Sequence, residues 1–328
     1  MVCALRQHTT YHIRWLKADS AVSRQSLTAF FCKLYARAMA LRHMLRRMDS
    51  ARDVVWLQYA NGVDLLLLAL IRRWFPGTVF CTAHVGAEWF HLRTSILRRI
   101  AVILLSNADR VFCLSAAQHH AFGTADTRFV RIPTLLPDWV NGLDATAQRH
   151  QSGLVFFGRV DSRKGIYDML HAFALVLEQH PGLRMDIAGT GPDEAAARRL
   201  ADALHLSAHL TWHGSLSEPD LLRLIERRKV LVYPSCADAY PLAVLEAIAL
   251  GLDVVLCDIP AAAEIVHTYG GWLVPVGNVR QLALAMCHAH SNAPRIRCDI
   301  EISEFQWPQV ARLYAEHIEA AYEAAAQA

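Results

Sequence analysis

Apolar residues in this chain come in short unbroken runs, each ended by a turn and followed by a stretch with apolar positions three and four apart. The runs predict buried strands, and the stretches between them predict helices packed by one face. In the first half, strands are predicted at Asp53 to Tyr59, Thr78 to Ala83, Val111 to Leu114 and Phe129 to Ile132. A helix from Val63 to Trp74 and a Pro76-Gly77 turn separate the first two of these. In the second half, the strand Leu154 to Phe157 leads into a helix with Ile166, Met169, Leu170, Phe173, Val176 and Leu177 at helical spacing. Strands are also predicted at Leu183 to Ala188, in the run ending Trp212-His213-Gly214, and at Val230 to Tyr233; helices begin at Ser217 and end at Gly251. Strands alternating with helices build parallel sheets covered on both faces, so the class is α/β with two sheets. Residues 138–151 are polar and pattern-free, which places the interdomain linker there.

Composition narrows the picture. With 328 residues, 54% of them hydrophobic and 19% charged, the chain can fill the cores of two ordinary domains. The 8 cysteines are scattered, with no Cys-x-x-Cys pair and no Cys/His cluster at zinc spacing, and the 17 histidines are equally dispersed. They predict small core residues in a reducing compartment and no metal site. The longest apolar runs, Val63 to Ile71 and Ile100 to Leu105, fall far short of the ~20 residues a membrane-spanning helix needs. The expectation is a cytoplasmic protein, soluble or peripheral.

The net charge of +3 conceals an asymmetry: residues 1–140 carry 18 Lys+Arg against 8 Asp+Glu, and residues 141–328 carry 15 against 22. Between Ser26 and Met48, Lys33, Arg37, Arg42, Arg46 and Arg47 are interleaved with apolar residues. That pattern fits either an anionic membrane footprint or a solvated basic face. Nucleic acid is not an expected partner, because the strand-helix pattern contains no recognition motif.

Two segments carry the candidate chemistry. Gly158-Arg159-Val160-Asp161-Ser162-Arg163-Lys164-Gly165 joins a strand to a helix. Fixed cations and free N–H groups at a helix start suit a diphosphate, with Arg forking onto two oxygens and Lys acting as a point charge. Seventy residues later, Asp238 sits in the loop after Pro234 and Glu246 lies early in the following helix. Ionised carboxylates only accept hydrogen bonds and therefore suit ribose and sugar hydroxyls. Taken singly, each segment also fits a plain structural role: a solvated basic turn, a loop-capping Asp, a surface Glu.

In their order along the chain, these segments resemble the retaining GT-B glycosyltransferases of the family-four type. The likeness covers residues 152 to about 322 and includes Gly189-Thr190-Gly191-Pro192, Ala263-Glu264-Ile265-Val266, Gly270-Gly271-Trp272 and Phe305-Gln306-Trp307. It implies two Rossmann-like domains: an acceptor-side domain at 1–138, a nucleotide-sugar domain at 152–305, and a C-terminal helix at 306–328 that crosses back to the first domain. It also implies transfer of a sugar from a nucleotide diphosphate sugar to a hydroxyl of a glycan or lipid-linked acceptor, with retention of configuration and without a metal or other cofactor. Cell-surface polysaccharide or glycolipid synthesis on the inner face of the membrane is the expected setting. Arg159 and Lys164 would hold the diphosphate, with Gly158, Gly191 and the backbone of Leu242 and Ala243. Glu246 would take the ribose, Asp238 the transferred sugar, and His84 would line the reaction centre from the first domain.

The chain departs from the family in three places. Asp238 stands where Glu is usual, and Thr134 where Asn is usual. Leu5 to Ala18 resembles the family's first helix and second strand, so the first domain is expected to lack its initial strand and Gly-rich loop. A non-catalytic partner subunit and a GT-B nucleotide-sugar epimerase are the alternative functions.

Overall fold

A computed structural model describes residues 38–39, 41–50, 53–59, 62–86, 95–122, 126–137, 140, 152–293, 295–296 and 305–326. The chain divides into two compact units, one of residues 1–85, 90–135 and 307–328, the other of residues 86–89 and 136–306. Leu5 to Ala18, most of the basic 26–48 segment and most of residues 138–151 lie outside the described residues.

In the first unit, strands β1 (Val54–Tyr59), β2 (Thr78–Ala83), β3 (Arg110–Cys113) and β4 (Phe129–Arg131) pair in parallel and in sequence order. Helices α1 (Gly62–Trp74), α2 (Ser95–Leu105) and α3 (Ala116–Phe122) connect them. Every residue of β2 is buried, as the unbroken apolar run predicts for a central parallel strand.

The final helix, α10 (Trp307–Ala326), belongs to this unit. Val310, Tyr314, Ile318 and Ala321 recur at helical spacing and pack on Phe80 and Phe112 of the sheet and on Ile132 just after β4. Trp56, Phe112 and Tyr314 meet there with ring centroids 4.9–5.4 Å apart, in the tilted or edge-on geometries that aromatic quadrupoles favour.

The second unit holds a six-stranded parallel sheet: β5 (Leu154–Phe157), β6 (Met185–Ala188), β7 (Leu210–Gly214), β8 (Val230–Tyr233), β9 (Asp253–Cys257) and β10 (Trp272–Val274). Its spatial order is β10-β9-β8-β5-β6-β7. Helices α4 (Ile166–Gln179), α5 (Glu194–Ala203), α6 (Glu218–Ile225), α7 (Leu242–Ala249), α8 (Pro260–Tyr269) and α9 (Val279–Ser291) alternate with the strands. β5, β6, β8 and β9 are wholly buried, and Ile166, Met169, Leu170, Phe173 and Val176 face inward from α4. Leu183, expected in β6, still belongs to the preceding turn, its N–H donating to the His180 carbonyl.

The order of this sheet reverses between β5 and β8: the chain winds outward through β6 and β7 on one side, then through β9 and β10 on the other. Loops leaving neighbouring strands at such a reversal run in opposite directions and open a crevice at the strands' carboxyl ends. Both candidate segments lie there.

Candidate functional site

The basic turn begins where β5 ends. Gly158 takes φ +143° and donates to the Ala188 carbonyl at 2.9 Å, and Val160 donates to Thr190 O at 3.0 Å. The turn therefore lies directly against the Gly189–Gly191 loop after β6. That approach is close enough to exclude side chains: a Cβ on Gly189 would stand 1.8 Å from Gly158 O, and one on Gly191 2.0 Å from Val160 O. Gly191 thus serves as backbone clearance beneath the turn.

Residues 162–164 form one turn of 3-10 helix, capped by Asp161, whose Oδ1 accepts from Lys164 N at 3.0 Å. The other oxygen of Asp161 lies 2.9 Å from Arg159 Nε and 3.9 Å from Arg163 Nη2. Asp161 is buried, whereas both guanidinium groups are mostly exposed. One carboxylate therefore fixes the backbone that carries Lys164 and also anchors Arg159. Sequence reasoning gave Asp161 no role and left Arg163 unassigned. The signal was a cap residue three positions before Lys164, the N-cap spacing.

The acid loop runs from Pro234 to Pro241 and is laced to the basic turn. Cys236 N donates to Arg163 O at 2.9 Å, and Ser235 Oγ donates to the same carbonyl at 3.2 Å. Lys164 Nζ reaches Asp238 Oδ2 at 2.5 Å, and the Tyr233 hydroxyl donates to that same oxygen at 3.2 Å. The ammonium also lies 5.3 Å from the centre of the Tyr233 ring, which stacks on Phe156 at 5.9 Å. Both contacts fall on Oδ2, and no described hydrogen bond uses Asp238 Oδ1.

Helix α7 follows with Pro241 as its cap and no side-chain capping bond. The N–H groups of Leu242 and Ala243 meet no described acceptor, so they stand ready for an anion at the positive end of the helix. One turn later, Glu246 is half-buried with no described hydrogen bond or ion pair. Burial, and then the nearby Glu218 carboxylate, pushes its pKa up to about 7. A carboxylate that loses water without gaining donors is poised for hydroxyl groups from outside.

This placement has a measurable consequence. Folded Glu246 keeps its proton between pH 4.5 and about 7, where the unfolded side chain has lost it. The folded state binds more protons in that window, so its stability falls as pH rises and levels off above 7. The loss should be on the order of 3 kcal/mol. Glu246→Gln should flatten that slope in urea titrations at pH 5, 6, 7 and 8; an unchanged slope would place the titration elsewhere.

Of the residues expected to act together, Gly158, Arg159, Lys164, Gly191, Asp238, Leu242, Ala243 and Glu246 are all gathered at the crevice of the second unit. His84 belongs to the first unit, at the end of β2. Its N–H donates to Tyr59 O at 2.7 Å, and its ring Nε2 lies 2.5 Å from Gln58 Oε1. Its surface is open to solvent, yet the protein around it withdraws enough water to hold its pKa below the usual histidine range. Among the described residues, no group of histidines, cysteines and carboxylates is arranged to hold a metal.

Residues 147–296, which contain this entire crevice, match the family model of the glycosyl transferases group 1. The match spans slightly less than half of the chain. The matched residues lie within the second unit and include its switch-point crevice. An exopolysaccharide phosphotransferase of Streptomyces coelicolor is 28% identical over 203 residues, covering 57% of this chain and 21% of that protein. A GDP-mannose:cellobiosyl-diphosphopolyprenol alpha-mannosyltransferase of Xanthomonas campestris is 25% identical over 290 residues, covering 82% of this chain and 74% of its own length. The chain spans only about a fifth of the first relative. Among solved structures, the pneumococcal O-GlcNAc transferase GtfA in complex with UDP and GlcNAc superposes with a TM-score of 0.69 at 15% identity, over 87% of this chain and 60% of that one. The fold is GT-B, with two Rossmann-like units.

Proposed function

We propose that the chain transfers a sugar from a nucleotide diphosphate sugar to a hydroxyl of a glycan or lipid-linked acceptor, with retention of configuration. One observation carries this: two cations and an uncapped helix start share the switch-point crevice with two carboxylates that have acceptor capacity to spare. Departure of the nucleoside diphosphate develops negative charge, and preorganised donors at that charge are the largest catalytic contribution in such reactions. Arg159, Lys164 and the N–H groups of Leu242 and Ala243 supply them, so the charge is met without a resident metal. Glu246 accepts from the ribose hydroxyls, and the free oxygen of Asp238 from hydroxyls of the transferred sugar. The acceptor's proton passes to a donor phosphate oxygen.

A thermal-shift series with UDP-, GDP- and ADP-sugars tests this, because ligand at 100 times Kd stabilises by about 2.7 kcal/mol. One base should raise the melting temperature, and the shift should vanish in Lys164→Ala. No shift with any donor would overturn the proposal.

Asp161 gives a second test. Asp161→Asn keeps an oxygen to cap Lys164 N but removes the charge that anchors Arg159. With one negative charge fewer beside it, the nucleoside diphosphate should bind equally or more tightly. Transfer should nevertheless slow by about ten-fold or more, because Arg159 is no longer preorganised. Calorimetry and steady-state rates separate the two effects, and parallel loss of both would deny Asp161 a positioning role.

A further inference from the structure

Two helices of the first unit expose apolar and basic side chains close together. Helices α1 and α2 pack against each other and, by the right-handed crossover rule, cover the same face of the sheet. Leu65, Leu68 and Ile71 of α1 and Ala101 and Leu105 of α2 point inward and are buried. On the opposite side, Leu66 is 56% exposed, Ile100 47% and Ile103 67%. Exposed Arg73 follows Leu66 by two helical turns, and exposed Arg99 precedes Ile103 by one. α2 contains no acidic residue, and α1 contains only Asp64.

The described part of the basic 26–48 segment adjoins this surface. Arg42 lies 5.9 Å over the Trp74 ring, which seats residues 41–47 beside the C-terminal end of α1. Arg42 is thereby half-buried, while Arg46 and Arg47 are exposed. None of Arg46, Arg47, Arg73 and Arg99 has a described ion pair. Among the described residues, no helix is long and apolar enough to cross a membrane.

We propose that this face, formed by Leu66, Ile100 and Ile103 with Arg46, Arg47, Arg73 and Arg99, is a docking surface for an anionic lipid bilayer. Charge decides the occupant. A second copy of the chain would set four cations against four cations, whereas anionic headgroups neutralise them while the three apolar side chains enter the acyl boundary. The excess of 18 basic over 8 acidic residues in positions 1–140 orients this unit toward such a surface before contact. Resting on the glycosyltransferase reading above, docking selects a lipid-anchored acceptor presented at the headgroup layer over a freely diffusing glycan.

The test is co-sedimentation of the full chain with vesicles of phosphatidylcholine alone or mixed with phosphatidylglycerol. Binding is expected only to the mixed vesicles, weakening as added salt shortens the Debye length. Arg46→Gln with Arg47→Gln should lower the partition coefficient by about five-fold per cation. Ile100→Ser with Ile103→Ser should lower it on the order of ten-fold at unchanged charge. These side chains lie outside the core and the donor crevice, so melting temperature and nucleotide-sugar shift should stay as in the parent. Equal binding to neutral vesicles, or no binding at all, would overturn the proposal. So would a concentration-dependent dimer that Ile103→Ser dissociates, since the face would then belong to a second copy. Donor shift without vesicle binding would sink this proposal alone; vesicle binding without any donor shift would sink the functional one alone.

Discussion

Arg159→Ala and Lys164→Ala should each bring sugar transfer close to background while leaving the protein folded. Arg159 is mostly solvent-exposed, and Lys164 contacts the rest of the chain mainly through the Asp238 ion pair. Neither supports the core, so melting temperatures should change little. Turnover should fall by a factor on the order of 10²–10³ for each, the usual effect of deleting a preorganised charge at a leaving group. The two variants should differ in one respect. Lys164→Ala also strips Asp238 of its cation, leaving its Oδ2 with the Tyr233 hydroxyl alone among the described contacts. That variant should therefore lose discrimination between donor sugars as well as rate. Initial rates with two epimeric donors would reveal this, and near-parental transfer by the double variant would refute the assignment of both cations.

Gly165→Ala should be among the more disruptive single-methyl changes in the second unit. Gly165 ends the 3-10 turn and opens α4 at φ +74°, where it donates its N–H to Ser162 O. An added Cβ would stand 2.1 Å from the Pro234 carbonyl oxygen. That oxygen is backbone, directly after the buried strand β8, so relieving the clash would require the main chain itself to shift. Two other glycines calibrate the effect. At Gly182 an added methyl would have nothing within 4 Å and no positive φ to strain it, whereas Gly214 is equally open but sits at φ +66°. Urea titration should find Gly182→Ala near neutral and Gly214→Ala about 1 kcal/mol less stable, from backbone conformation alone. Gly165→Ala should lose several kcal/mol, because the clash adds to the same strain. Equal losses at Gly165 and Gly214 would mean that the two loops do not touch.

The strand positions were legible because burial on both faces of a parallel sheet demands continuous apolar runs, and that demand is local. The runs at 154–157 and 230–233 appear as strands with the expected bounds. Ser217 caps α6 through its side chain, as a serine before a helix should. The discrepancies are at element ends, where tertiary pairing decides. β3 begins at Arg110 because it pairs with Phe80, and Leu183 is held in its turn by His180.

The chemistry was legible to the extent that it lies in short segments. The side chains of the basic turn and the acid loop, and the loops that carry them, could be named from the sequence alone. Their partners did not follow, because partners are chosen in space. Nothing in the sequence ties Lys164 to a carboxylate 74 residues away, yet the reversal of strand order at β5 and β8 makes them neighbours. Burial of Asp161, which makes one carboxylate the anchor for two cations, is likewise a property of packing. So is the placement of Arg42 on Trp74, which removes it from the free cations of the basic segment.

By itself, then, the sequence determined the alternation of strands and helices, the location of the cationic turn and the acid loop, and the opposite charges of the two halves. Each of these depends on residues close together in the chain. The tertiary structure alone decided the order of the strands, the pairing of Lys164 with Asp238, the raised pKa of Glu246 and the exposure of Leu66, Ile100 and Ile103. Those depend on distance and on the loss of water, and both are set only when segments far apart in the chain come to lie side by side.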